Sequence, residues 1–225
     1  MKRLTWHIKG VWLLVLFLLP VIGWAGIEGE PADEDTTETI SDIKVWTADD
    51  PLVWDDFQAT PSGGRFAAQT VWSWQSQNRV VVNCVQSTDV WQCVAEFENA
   101  LVQTIFLKEF SWVTASGRFS RELLAHEQGH FDLAEVFARR MNVDLKPLQV
   151  TVENADRLQA ETEAFRALDE AAQAIINEWT EATMAEQERY ERETNHGTVR
   201  SAQTRWQSQI RLLLSQTDPN SVPDG

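Results

Sequence analysis

The spacing of apolar residues changes once along this chain, at residues 115–117, and this change constrains the fold more than any other feature. Before it, short stretches rich in Val, Trp, Phe and Thr alternate with polar residues, as in residues 71–74, which predicts β-strands. After it, the apolar spacing approaches 3.6 residues, which predicts helices. Strands first and helices after favour an α+β fold, with a small, mostly antiparallel sheet packed against the helices.

Capping signals set the expected boundaries of the helices. Ser120 is a suitable N-cap for the first helix, and Pro147 ends it. A longer helix follows, either continuous or broken near residues 180–183, and Gly197 closes it in a left-handed conformation. The predicted helices cover residues 120–145, 152–192 and 201–214.

Both ends of the chain are expected to lie outside the folded domain. Residues 1–25 combine three basic residues with an apolar run of about 14 and small residues at its end, which is typical of a cleavable secretory signal peptide. An uncleaved anchor is the alternative. An acidic, flexible leader is predicted over residues 26–42, because it has too few large apolar residues to form a core. One domain is predicted over residues 43–214, with the sheet in 43–115 and the helices in 116–214, and then a flexible tail over 215–225.

Cys84 and Cys93 are the two cysteines of the chain. The sequence around them predicts two strands joined at residues 87–89, which would place the cysteines opposite one another. Because an exported protein folds in an oxidising compartment, we predict a cross-strand disulfide. Metal ligation by the pair is the alternative, although C-x-x-C spacing is lacking.

The net charge of −15 limits the expected partners. Such an acidic chain repels polyanions, so nucleic acid is not an expected partner. The apolar run before residue 26 is too short for an ordinary membrane span, so none is expected after signal cleavage. The expected location is the periplasm or the medium, and the oligomeric state is not predicted.

A metal-binding pattern, "HEQGH", lies within the first predicted helix. His126 and His130 are four residues apart, so both imidazoles can reach one ion at about 2 Å. Glu127 lies near the same edge of the helix, which suits the general base of a zinc hydrolase. Two histidines on a solvated helix face are the alternative.

Gly129 lies between these residues, where a glycine costs about 1 kcal/mol relative to alanine. Its lack of a side chain leaves room for a neighbouring strand, a substrate or another ligand. Tight packing of the helix on the sheet is the alternative.

Catalytic zinc usually has three protein ligands, so one more is needed. The metzincin extension would require a glycine and a histidine where this chain has Leu133 and Val136, which excludes that subclass. The only histidine downstream of His130 is His196, which we predict as the third ligand, with Glu193 as the alternative. Helix capping by His196 is compatible with that role.

Tyr190 is the only tyrosine of the chain. If the turn carrying His196 approaches the zinc, the phenol is expected to donate a hydrogen bond to the oxyanion of a tetrahedral intermediate. Packing with the hydroxyl at the rim of the helix is the alternative.

Several of these segments together resemble a known family. The segments "LVWDDFQ", "AAQT", "HEQGHFDLAE" and "YERETNHG", followed by Gln203 and Trp206, resemble the bacterial family catalogued as domain of unknown function nine-two-two. That family is described as predicted secreted zinc-dependent proteases, and the likeness covers residues 45–206. The resemblance implies a zinc-site helix at His126, Glu127 and His130. It also implies a downstream motif at Tyr190, Glu193, Thr194, His196 and Gly197.

The leading functional prediction is an exported, zinc-dependent peptidase that acts on a peptide or protein, with Glu127 as general base. An edge strand of the sheet is expected to hold the peptide by strand addition. One alternative is the same zinc chemistry on cell-wall peptides, suggested by the eight tryptophans after residue 25. Another is a non-catalytic envelope assembly factor with a structural zinc, in which a fourth protein ligand would close the site.

Overall fold

The computed structural model describes residues 4–7, 42–62, 64 and 66–217, and its α+β architecture confirms the predicted fold class. Its strands are β1 Leu4–His7, β2 Ile43–Val45, β3 Ala68–Gln69, β4 Trp72–Ser76, β5 Arg79–Ser87, β6 Val90–Asn99, β7 Val102–Leu107, β8 Trp112–Val113 and β9 Gln149–Asn154. Its helices are α1 Arg121–Leu145, α2 Arg157–Thr194 and α3 Arg200–Gln216. Within these described parts, no helix has the length and apolar character needed to cross a membrane.

The predicted signal peptide, leader and tail lie almost entirely outside the described residues. Of the predicted signal peptide, the structure describes Leu4–His7, which pairs antiparallel with β5. Asp42 is described at the end of the leader, and α3 extends into the tail as far as Gln216. The domain boundaries therefore stay predictions.

The strands form three antiparallel sheets, which have the orders β1-β5-β6-β9, β2-β7-β4 and β3-β8. The apolar face of α1 packs against the β2-β7-β4 sheet, and α2 and α3 contact α1 as well. Phe131 of α1 meets Phe106 of β7 edge to face, with ring centroids 5.7 Å apart. The N-terminal half of α2 covers the β5-β6-β9 part of the first sheet, where Ala160 and Ala164 are fully buried. The main core therefore surrounds α1 and holds it rigidly.

The hairpin of β5 and β6 confirms the predicted disulfide. Cys84 and Cys93 are directly opposite in the antiparallel register, with Cα atoms 4.1 Å apart, and they are bonded to one another. The turn between the strands includes Thr88 at a positive φ of 56°. The alternative of metal ligation by the two cysteines is therefore wrong.

The first helix begins where the capping signal predicts, whereas the second does not. Ser120 caps α1 by accepting a hydrogen bond from the backbone N–H of Leu123. The prediction of helix from residue 152 is wrong, because residues 149–154 form β9 at the edge of the first sheet. Val150 and Val152 alternate there with exposed polar residues, which is a strand pattern, and α2 starts only after its N-cap, Asp156.

Helix α2 is continuous over 38 residues, so a break near residues 180–183 does not occur. The hydroxyls of Thr180 and Thr183 donate to the carbonyls of Ile176 and Trp179, one turn earlier. These bonds satisfy the hydroxyls inside the helix, which is how threonine is accommodated there.

A tight turn joins α2 to α3 and presses against α1. Asn195, His196 and Gly197 all adopt positive φ angles, of 48°, 54° and 75°. A Cβ atom on Gly197 would lie 2.9 Å from the Cβ and Cγ of His126, so only glycine fits at this contact. The predicted left-handed Gly197 is therefore confirmed, and the turn is placed beside the H-E-x-x-H segment.

Candidate metal centre

Two histidines of α1 and one glutamate of α2 come together and can bind a metal ion. One ligand atom each from His126, His130 and Glu191 lie within 4.8 Å of one another. The two Nε2 atoms are 3.3 Å apart, and Glu191 Oε1 lies 2.9 Å from His130 Nε2 and 3.6 Å from His126 Nε2. Ligands of a tetrahedral zinc with bonds of about 2.0–2.1 Å are roughly 3.3 Å apart, so the spacing suits such an ion.

Gln187 fixes the orientation of the His130 ring. The side-chain amide N–H of Gln187 donates to the backbone carbonyl of His130, at 2.9 Å. Because a carbonyl can only accept, Oε1 of Gln187 faces Nδ1 of His130, 2.6 Å away. We therefore assign the proton of the neutral ring to Nδ1, which leaves a lone pair on Nε2.

Gln203 of α3 has the same effect on His126, through Tyr190. The Tyr190 hydroxyl donates to the backbone carbonyl of His126, at 3.0 Å, and accepts from the amide N–H of Gln203, at 2.7 Å. Oε1 of Gln203 then lies 3.1 Å from Nδ1 of His126 and accepts a hydrogen bond from its N–H. The Nε2 lone pair of His126 therefore also points towards Glu191.

Two lone pairs and a carboxylate oxygen thus converge with no proton assigned between them. Three such acceptors repel one another unless a cation lies among them. The donor set and the two glutamine contacts are those of a metal site whose ligating imidazoles are oriented by outer hydrogen bonds.

The pKa shifts of Glu191 and His130 also indicate that this group of residues is stabilised by positive charge. Burial alone would raise the pKa of Glu191, but hydrogen bonds and charges from His126 and His130 outweigh it and hold that pKa well below its usual range. Burial alone would lower the pKa of His130, but Glu191 and then Glu127 outweigh it and raise that pKa. Without a metal, a proton therefore takes part of the cation's place.

Glu191 is the residue that the sequence analysis missed, since it predicted His196 or Glu193 as the third ligand. Glu193 is turned away, because its carboxylate accepts from the Trp206 indole N–H, at 2.9 Å, and pairs with Arg189. Glu191 lies four residues after Gln187, so both face α1 from the same side of α2. This i,i+4 pair of polar residues was the feature of the sequence that could have indicated Glu191 as the third ligand.

His196 lies beside the group without being part of the compact set of three. Its side chain is about two-fifths exposed, and its Nδ1 lies 2.5 Å from Oε2 of Glu191, whereas Oε1 faces His126 and His130. The two atoms are close but do not form an aligned hydrogen bond, because buried Oε2 has no hydrogen-bond partner among the described residues. Direct ligation by His196 stays a prediction, and the geometry favours Glu191.

Glu127 borders the open side of the group. It is buried, and it lines a cavity of about 700 Å³ together with His126 and Glu191. The other walls come from residues 66–68 and 116–117 on one side and from the α2–α3 turn on the other. Glu127 therefore lines the same space as two of the three metal-binding residues, and a substrate can enter that space.

Tyr190 is fully buried and packs against His126 inside the site. Its ring stacks on His126 with centroids 4.8 Å apart, and its hydroxyl is engaged by His126 and Gln203. Burial and nearby carboxylates raise its pKa well above the usual range, so the phenol stays protonated. Tyr190 is not among the residues that line the described cavity. Its predicted action on an oxyanion stays a prediction.

Gly129 makes room for Tyr190. A Cβ atom at Gly129 would overlap the phenol oxygen of Tyr190 and would lie 2.8 Å from its Cζ, inside van der Waals contact. The Gly129→Ala substitution, which normally stabilises a helix by about 1 kcal/mol, should here lower the free energy of unfolding by about 1–3 kcal/mol. Urea unfolding measures this change.

A Tyr190→Phe, Gly129→Ala double variant is the control for that prediction. It removes the oxygen that makes the shortest contact, so its loss of stability should be smaller than the sum of the two single losses. Additive losses, or a Gly129→Ala protein more stable than the original, would show that Tyr190 does not lie on Gly129.

Gln187→Leu tests the outer hydrogen bonds. Without the amide, the His130 ring loses the partner that fixes its tautomer, so zinc affinity should fall about 10–100-fold. Gln159→Leu, on an exposed part of α2, is the matched control and should leave the affinity unchanged. Competition titration with a zinc indicator dye measures both, and equal affinities would contradict the assigned role of Gln187.

The chain shows no significant match to any protein-family model, curated protein or solved structure. The resemblance noted in the sequence therefore stays a prediction.

Proposed function

We propose that this protein is a zinc-dependent peptide hydrolase, in which His126, His130 and Glu191 hold the metal and Glu127 is the general base. The observation that carries the proposal is that Glu127 lines the same open cavity as His126 and Glu191, two of the three residues whose metal-binding atoms converge. A purely structural site would be closed by a fourth protein ligand, and the compact group has three.

The donor set favours zinc among the common metals. Two imidazoles and one carboxylate are a frequent ligand set of catalytic zinc, whereas calcium and magnesium prefer oxygen ligands alone. When bound there, zinc supplies a Lewis acid that polarises a carbonyl and lowers the pKa of a water molecule.

The part of Glu127 is proton transfer. Its carboxylate accepts the proton of the attacking water and then delivers it to the leaving amine. Its place on α1, next to His126, fixes it relative to the metal-binding group, because α1 is held by the main core. The position of the base relative to His126 is thus set by local helix geometry.

The cavity wall supports an extended polypeptide as substrate. Ala67 and Ala68 line the cavity, and in the described part of the chain β3 pairs with β8 alone, so β3 is an edge strand. The Thr70 hydroxyl donates to the backbone carbonyl of Glu127, at 3.4 Å, which ties this segment to α1. An edge strand beside the metal can bind a peptide through backbone hydrogen bonds, as in strand addition.

Export is part of the same proposal. The disulfide between Cys84 and Cys93 supports folding in an oxidising compartment, since such bonds rarely persist in the cytosol. Mass determination of the protein recovered from its native location would test whether residues 1–25 are removed.

Digestion of a mixed peptide library tests the hydrolase directly. We expect the zinc-loaded protein to cleave internal peptide bonds, a chelator to abolish cleavage, and zinc to restore it. Mass spectrometry of the products would identify the cleaved bonds. A fully metal-loaded, folded protein that cleaves none of the library would overturn the proposal.

A further inference from the structure

A second cavity adjoins the one that holds the candidate metal centre. It has a volume of about 330 Å³ and lies along the contact of α1 and α3, and we call it the outer cavity. Three residues line both cavities, namely Glu122, Gly197 and Arg200. Because Gly197 has no side chain, the side-chain wall between the cavities consists of the Glu122–Arg200 ion pair.

This wall opens at little cost. The Arg200 Nη2 and Glu122 Oε1 atoms are 3.0 Å apart, but the side chains are 83% and 59% exposed. Exposed ion pairs contribute little to stability, so water or a competing ion replaces either partner readily. Since no other side chain lines both cavities, parting of the pair would join them into one groove.

The outer cavity is basic although the protein is strongly acidic. Its charged lining residues are Arg121, Arg200 and Glu122, against a chain with a net charge of −15. Arg121 is exposed and has no ion-pair partner among the residues that the structure describes. If a ligand displaced Glu122 from Arg200, two guanidinium groups would be available to it.

Helix stability does not explain these two arginines. Arg121 is the first residue of α1 and Arg200 is the first residue of α3. The helix dipole disfavours cations at that end, where acidic residues are the stabilising choice. Their placement at the shared rim of two cavities therefore calls for another role.

We propose that Arg200, assisted by Arg121, binds a carboxylate of the polypeptide substrate in the outer cavity, and that Glu122 occupies this place in the free protein. The proposal rests on the proposed peptide hydrolase and specifies its substrate class. Glu122 lies one helical turn before His126, so the carboxylate would bind only one or a few residues from the bond held at the metal.

The cavity of about 700 Å³ that holds the candidate metal centre, here called the inner cavity, does not itself favour charged substrate residues. Its basic and acidic lining residues cancel once a divalent ion is bound, and the wall at residues 66–68 carries Phe66 and two alanines. The substrate residues bound nearest the metal site are therefore expected to be neutral. The acidic group of the substrate is expected to be recognised in the outer cavity, away from that site. An acidic side chain and a free C-terminal carboxylate offer the same chemistry to Arg200.

Peptide binding to the zinc-loaded Glu127→Gln protein tests the proposal without hydrolysis. Fluorescence anisotropy would be measured with labelled hexapeptides in which Asp or Asn is placed at each position, each with a free or an amidated C-terminus. We expect one position, or the free C-terminus, to bind about 3–10-fold more tightly with the carboxylate than with the amide.

Variants of Arg200 and Glu122 test whether Arg200 binds the carboxylate of the peptide and whether Glu122 competes with it. In an added Arg200→Gln variant the ratio of amide to acid Kd should fall to near one. In an added Glu122→Gln variant the ratio should rise, since the internal competitor is lost. The matched control is Arg205→Gln, an exposed arginine of α3 that lines neither cavity, and it should keep the original ratio.

The outcomes separate this inference from the proposed function. Peptide binding without an acid preference, or with one that Arg200→Gln leaves intact, overturns the carboxylate site whether or not the native protein hydrolyses peptides. An Arg200-dependent preference in a protein that never cleaves supports the site and overturns the hydrolase. Failure of every peptide to bind overturns the site, while metal content still tests the metal centre.

Discussion

The Glu127→Gln variant is expected to lose about 10²–10⁴-fold in kcat while it keeps its zinc. Glutamine has nearly the same shape as glutamate but cannot accept the proton of the attacking water, so the general-base contribution disappears. Glu127 borders the cavity and is not one of the three converging residues, so the metal should stay bound. Initial rates on a peptide from the library, together with zinc content, measure both effects.

Glu188→Gln is the matched control for this substitution. Glu188 is an exposed residue of α2 close in sequence to Glu191, and its loss changes the net charge by the same amount. We expect it to retain full activity. A Glu127→Gln enzyme with undiminished kcat would show that another group takes the proton, and that the position of Glu127 is not the basis of catalysis.

The second large effect is expected at Glu191. Zinc at 100 times its Kd should stabilise the original protein by about 2.7 kcal/mol, which corresponds to a rise in Tm of roughly 5–10 °C for a chain of this size. Glu191→Gln removes the charged ligand and leaves two neutral imidazoles, so this rise should be almost abolished. Calorimetry with and without zinc measures the shift.

Glu193→Gln is the control that distinguishes the two glutamates. Glu193 is bound to Trp206 and Arg189, away from the three convergent atoms, so its variant should keep the zinc-dependent rise in Tm. The opposite pattern, with the rise kept in Glu191→Gln and lost in Glu193→Gln, would support the third ligand that was weighed from the sequence and contradict the structure.

The parts of the site that could be predicted from the sequence are those set by local geometry. His126, Glu127 and His130 are within one helical turn or so, and their relative positions follow from the helix alone. The disulfide was predictable for a similar reason, because Cys84 and Cys93 flank a single hairpin turn. In both cases few residues separate the interacting groups.

Glu191 could not be chosen by that reasoning, because it meets His130 across 61 residues. Its distance from the metal-binding pair depends on how α2 packs on α1, which no local pattern specifies. His196 is the only histidine downstream of His130 and so was the predicted ligand, but Gln187 and Glu191, on one polar face of α2, make the contacts with His130.

One error in the fold and one question left open by the sequence have similar origins. Residues 149–154 pair with β6, a strand far earlier in the chain, and this pairing overrides the helical expectation that began at residue 152. The role of Gly129 was open in the sequence because its neighbour, Tyr190, comes from another helix. A glycine inside the helix indicated that a neighbour approaches α1 closely at this position. The structure shows that this neighbour is the phenol of Tyr190.

Anomalous diffraction at the zinc absorption edge from crystals of the metal-loaded protein tests the central claim most directly. The account predicts one strong peak per chain, about 2 Å from Nε2 of His126, Nε2 of His130 and a carboxylate oxygen of Glu191, beside Glu127. A peak held through His196 or Glu193 in place of Glu191, or the absence of any peak at this position in a zinc-saturated crystal, would contradict it.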